Sequence, residues 1–64
     1  MENKFVIECN KWITRHPIGK TFRNEHRDLC HIRAYVDDQV VYRRWSRVRR
    51  SWVYGVAPVY IYAV

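Results

Sequence analysis

No acidic residue occurs between Gln39 and Val64 of this 64-residue chain. Five arginines fall in that stretch. Residues 39–64 therefore carry +5 of the formal net charge of +6, while seven bases and six acids leave residues 1–38 at +1. An excess held in one part of the chain is an electrostatic footprint, not general surface basicity. Lysine is scarce as well, with nine of the twelve bases being arginine. Simple solvation does not need that bias, whereas forked contact with phosphate or carboxylate does.

Cysteine, glycine and proline occur twice each. Cys9 and Cys30 form no C-x-x-C, and with His16, His26 and His31 they match no common zinc spacing, so no metal site is expected. Gly19-Lys20-Thr21 resembles the end of a phosphate-binding loop, but Thr14 stands where the motif needs glycine. His26-Arg27-Asp28 has the letters of a kinase catalytic tripeptide in a chain far too short for a kinase. The three histidines show no mutual spacing that would pair an acid with a base. The expectation is a protein that is not an enzyme and has no cofactor. Long apolar runs are missing too. The longest uncharged run, Ser51 to Val64, falls short of the ~20 residues of a spanning helix and contains Pro58. The N-terminus has no basic segment leading into an apolar one. No membrane role and a cytoplasmic location with reduced thiols are the expectations.

What is present is aromatic: three Trp, five Tyr and two Phe. They enlarge the core available to one small basic domain spanning residues 1–64. A core of this size also favours a homo-oligomer or an obligate partner. Lys4 to Cys9 reads as a strand, with Phe5, Ile7 and Cys9 alternating, continued by Lys11 to Arg15 beyond a bulge at Asn10. Pro17 and Gly19 break regular structure. Thr21 to Arg27 is open between a short helix and the start of a strand. His31 to Val36 and Val40 to Trp45 read as a hairpin around Asp37-Asp38-Gln39. A three-residue loop pairs Val36 with Val40 and Ala34 with Tyr42. It segregates Ile32, Ala34, Val36, Val40 and Tyr42 from Arg33, Tyr35, Val41, Arg43 and Trp45, whereas a two-residue loop mixes the faces. Ser46 to Ser51 is a turn or a bend. Trp52 to Val56 reads as a fourth strand ended by Pro58, and Val59 to Ala63 as a fifth. The expected fold is mainly β: a small twisted antiparallel sheet or a five-stranded SH3-like or OB-like barrel, with room for one short helix. An α+β arrangement is the alternative.

The most distinctive stretch runs from Tyr42 to Tyr54, where arginines and aromatics interleave. Arginine supplies permanent charge, a donor fork and a flat face; tryptophan and tyrosine supply flat apolar faces. The combination suits RNA or single-stranded DNA. The expected contacts are Arg43, Arg44, Arg47, Arg49 and Arg50 to phosphates, with Trp45, or Tyr35 across the hairpin, stacking a base and Arg33 part of the same binding surface. Trp52 is expected in the core. The same features suit an acidic groove on a protein. A small interaction protein that masks or inhibits an acidic or nucleic-acid-processing partner, such as a viral regulator of a host enzyme, is therefore the second reading.

Overall fold

The computed structural model describes residues 4–63. The described residues begin with a helix, α1 (Lys4–Arg15), not the expected strand. Cys9, Trp12 and Ile13 recur at helical steps and pack on the core, and His16 continues their stripe just past the helix. That longer period overrides the brief alternation of Phe5, Ile7 and Cys9, in which Phe5 and Ile7 stay exposed. Thr14 Oγ1 donates to the Asn10 carbonyl at 2.9 Å, and Lys11 lies 3.7 Å from Glu8 on the solvent side.

Four antiparallel strands follow in the order they occur: β1 (Thr21–Arg23), β2 (Leu29–Val36), β3 (Gln39–Ser46) and β4 (Ser51–Pro58). The undecided segment 21–27 thus divides into a short edge strand and a tight loop. Asn24 is buried, and its Oδ1 accepts from the backbone N–H groups of His26 and Asp28 at 3.0 and 2.8 Å. Those bonds hold the loop closed while Arg27 takes a left-handed φ of 62°.

The β2–β3 hairpin is correct in its strands and different in its loop. Only Asp37 and Asp38 connect it, and Val36 pairs with Gln39, Tyr35 with Val40 and Ala34 with Val41. The mixing of faces that argued against a two-residue loop is repaired by a β-bulge. The register shifts between Ile32 and Ala34, leaving Arg33 as the extra residue and pairing Ile32 with Tyr42. Ile32, Tyr35, Val40 and Tyr42 then share one face. Asp37 supplies the positive φ, 54°, that a tight hairpin needs, so glycine is not required there.

The expected fifth strand is instead a single helical turn, α2 (Tyr60–Ala63). Val59 is fully buried and its N–H bonds to the Asp38 carbonyl at 2.9 Å. Tyr62 and Ala63 both donate to the Val59 carbonyl at 3.0 Å, bringing Val59, Tyr62 and Ala63 onto one side. Among the described residues the fold is therefore a four-stranded antiparallel sheet with two short helices, and no fifth strand closes it into a barrel. Among the described residues no helix is long and apolar enough to cross a membrane.

The core lies between the helices and one face of the sheet. Cys30, Ile32, Val40, Tyr42, Ala57 and Val59 are its buried residues. An aromatic cluster locks α1 onto them. The Trp12 ring meets Phe22 edge-on at 5.6 Å and Tyr35 edge-on at 6.4 Å, and stacks on Tyr62 at 5.9 Å. Phe22 in turn meets Tyr42 at 5.6 Å. Desolvation raises the Tyr35 phenol to about 12 and raises Tyr62 as well, the latter also through its hydrogen bond with Tyr42. Both phenols hold their protons more tightly folded than unfolded. Their contribution is fully present below the ordinary tyrosine value near 10 and is lost as pH rises from ~10 towards ~12. Alkaline titration followed by circular dichroism should show unfolding within that window, with no comparable loss between pH 7 and 9.

Gly55 sits directly opposite Tyr42 in the sheet. A Cβ built there would lie 2.8 Å from Tyr42 Cζ and 2.9 Å from both Cε2 and the hydroxyl. The ring cannot retreat, because Phe22 backs it and it is almost wholly buried. Gly55→Ala should therefore cost about 1–3 kcal/mol, the usual penalty of overpacking. Urea unfolding measures it, and Tyr42→Leu in the same background should recover part of the loss.

Candidate nucleic-acid interface

β2–β3 pairing ends at Cys30–Arg44, while β3–β4 pairing continues through Trp45–Trp52 to Ser46–Ser51. The β3–β4 hairpin thus projects as a two-stranded arm, and the molecule extends 45 Å by 19 Å by 16 Å. The turn at its tip is Arg47-Val48-Arg49-Arg50. Ser46 is buried beneath the turn, and its hydroxyl accepts from the Arg49 N–H at 3.1 Å. All four turn residues are exposed, Val48 to 95%. Arg50 adopts a left-handed φ of 53°, a conformation that costs arginine more than glycine or asparagine.

Alternation along the strands decides which side chains accompany this turn. Val41, Arg43 and Trp45 pair directly with Val56, Tyr54 and Trp52, so all six point away from the helices. Trp45 and Trp52 meet edge-on at 5.4 Å, each 38% exposed, and Tyr54 is 68% exposed. The Arg43 guanidinium lies over the Trp52 ring, 4.5 Å from its centroid. Its Nε is buried without a hydrogen bond, and no ion pair engages the group among the described residues. The ring face therefore fixes a cation whose charge is not neutralised. His31 pairs with Arg43 on this same face, its Nε2 bound to the Gly19 carbonyl at 2.9 Å.

The expected contact residues are thus divided. Arg43, Trp45, Arg47, Arg49 and Arg50 come together on the arm. Arg33 is exposed at the bulge on the neighbouring strand. Arg44 points to the helix side, with its Nη1 3.8 Å from the Asp28 carboxylate. Tyr35 also lies on that side, its hydroxyl donating to the His16 carbonyl and its ring against Trp12. The bulge puts it there, because the slip at Arg33 exchanges the faces of the residues beyond it. Trp52 is on the open face, not in the core as expected, and Tyr54 joins it. Both follow from their offset to Trp45 and Arg43 once β4 is paired from Ser51.

Charge is sorted along β3. Asp37 and Asp38 stand at one end of the strand, and the arginine turn is at the other, about 25 Å away for eight extended residues. No ion pair involves Arg47, Arg49 or Arg50 among the described residues.

The histidines and cysteines are placed separately. His16 stacks on Trp12 at 4.1 Å with Nδ1 against the Trp12 carbonyl, and His26 is exposed in the β1–β2 loop. Burial pushes the Cys30 thiol up, and a nearby Asp28 carboxylate adds to the effect. Among the described residues no three side chains of metal-ligand type are grouped.

The chain matches no protein-family model, no curated protein and no solved structure at a significant level.

Proposed function

We propose that this protein is a non-enzymatic binder of single-stranded nucleic acid, RNA or single-stranded DNA, in an accessory or regulatory role. The observation that carries the proposal is the open face of the β3–β4 arm, where Trp45, Trp52 and Tyr54 are exposed beside Arg43 and the acid-free arginine turn. Unstacked bases present flat faces to such rings, and the guanidinium groups meet the phosphates between them. Duplex DNA offers phosphates without free base faces, so it should bind more weakly. Fluorescence anisotropy with labelled single-stranded RNA, single-stranded DNA and duplex, over a salt series and with protein freed of carried nucleic acid, tests this. Salt-sensitive binding that favours single strands is expected. No binding at low salt overturns it.

A second reading rests on Val48, an apolar side chain at the tip with arginine on either side. That arrangement fits an apolar pocket with an acidic rim on a protein partner. Val48→Ser separates the two readings: it should abolish capture by such a protein and leave nucleic-acid affinity within about twofold, since polyanion contact is carried by the neighbouring charges.

A further inference from the structure

The sheet has two unlike edges. β1 is three residues long, but β4 presents eight, Ser51 to Pro58, and every one is uncharged. One side of β4 pairs with β3. Among the described residues no backbone hydrogen bond runs from its other side to the rest of the chain. Edges left open in monomeric proteins are usually blunted by lysine, by a mid-strand proline or by a bulge. β4 has none of these: its proline is the last residue, and its pairing with β3 is regular throughout.

We infer that β4 pairs antiparallel with β4 of a second copy, joining two sheets across a two-fold axis. In a continuous sheet, directly paired residues must point to the same side. The axis must then pass through a residue, not between two. An axis at Tyr54 uses the whole strand. It sets Trp52 against Val56 of the second copy and Ser51 against Ala57. Both aromatic faces then lie on one side of the joined sheet and both helical layers on the other.

Charge supports the second copy as the occupant of this edge. Antiparallel pairing keeps the two arginine turns at opposite ends of the interface. With the axis at Tyr54, Arg50 of one copy is level with Pro58 of the other. Pro58 is already level with Gln39. The arginine turn therefore reaches the row that begins β3, where Asp37 and Asp38 stand. The two backbones are two strand spacings apart, about 10 Å, a gap that arginine and aspartate side chains together span. Each interface holds two such contacts. A parallel arrangement would instead bring the two arginine turns side by side.

The inference concerns the protein without nucleic acid, so its test is independent of the proposed function. Analytical ultracentrifugation over a concentration series should show a monomer–dimer equilibrium that stops at two. Val56, 57% exposed in the single chain, tolerates a lysine there, whereas a lysine in the middle of an open edge strand opposes pairing with a second chain. Val56→Lys should weaken dimerisation at least tenfold with an unchanged monomer spectrum. Two further variants alter only exposed residues and leave the left-handed Asp37 in place: Asp38→Lys, and Arg49→Glu with Arg50→Glu. Each alone should lose the dimer through like-charge contact, and an equimolar mixture should regain it as a heterodimer. A wild-type monomer at all concentrations overturns the inference. So does a Val56→Lys variant that dimerises as before, a mixture that stays monomeric, or assembly beyond two chains.

Discussion

Trp12→Ala should leave the protein unfolded at ambient temperature, whereas Trp12→Phe should leave it folded with a lower midpoint. Trp12 is the one side chain of α1 with ring contacts to both the sheet and the second helix: Phe22 and Tyr35 on one side, Tyr62 on the other. His16 also stacks on it and closes the helix end. Truncating a large aromatic in a packed cluster costs about 3–5 kcal/mol. A core in a chain this small rarely supplies more than about 3–5 kcal/mol in total. The two quantities are of the same size, so the equilibrium turns over instead of shifting slightly. Phenylalanine retains the edge-on contact with Phe22 and forfeits the outer half of the indole. Near-UV circular dichroism and urea titration of both variants check this. A Trp12→Ala protein that keeps a cooperative transition would show that the sheet is stable without α1.

The same tryptophan explains what was legible in the sequence. The sheet was visible because β2, β3 and β4 each carry several β-branched and aromatic residues, with the acidic turn Asp37-Asp38 between the first two. Helix α1 was not, because Phe5-Val6-Ile7 has strand character and the helical stripe appears only when Cys9, Trp12, Ile13 and His16 are read together. α2 was missed for a related reason. Val59-Tyr60-Ile61-Tyr62 has high strand propensity, and only the burial of Val59 against the hairpin turn selects a helical step. The arginine turn was readable, since five arginines within eight residues cannot be packed inside. The partners of those arginines were not, because one bulged residue, Arg33, exchanges the faces of Tyr35 and its neighbours. A bulge depends on how two strands meet and leaves no mark in either strand alone. Trp52 and Tyr54 were hidden in the same way: their exposure depends on the register of β4 against β3.

Removing the guanidinium groups of Arg47, Arg49 and Arg50 together should weaken binding to single-stranded RNA of any sequence. It should also lower the slope of log affinity against log salt by about 2, at ~0.7 for each phosphate released on a single strand. Trp45→Ala and Trp52→Ala should each cost about 1–3 kcal/mol of binding and leave that slope unchanged, because stacking releases no counterions. The contrast separates charge from stacking on one surface, and anisotropy at four or five salt concentrations reads both. Loss of fold is not an adequate explanation for the arginine result. The turn residues are exposed, and the bond that shapes the turn joins the Arg49 N–H to Ser46, so alanine retains it. Arg50→Gly sharpens the point. Glycine relieves a left-handed backbone at φ 53°, which should raise stability by up to ~1 kcal/mol. The same change deletes a charge from the proposed binding face. A variant that melts higher and binds more weakly would mean that Arg50 is held at a conformational cost that only binding offsets. A variant that melts higher and binds equally well would place the phosphate contacts on Arg43, Arg47 and Arg49 alone.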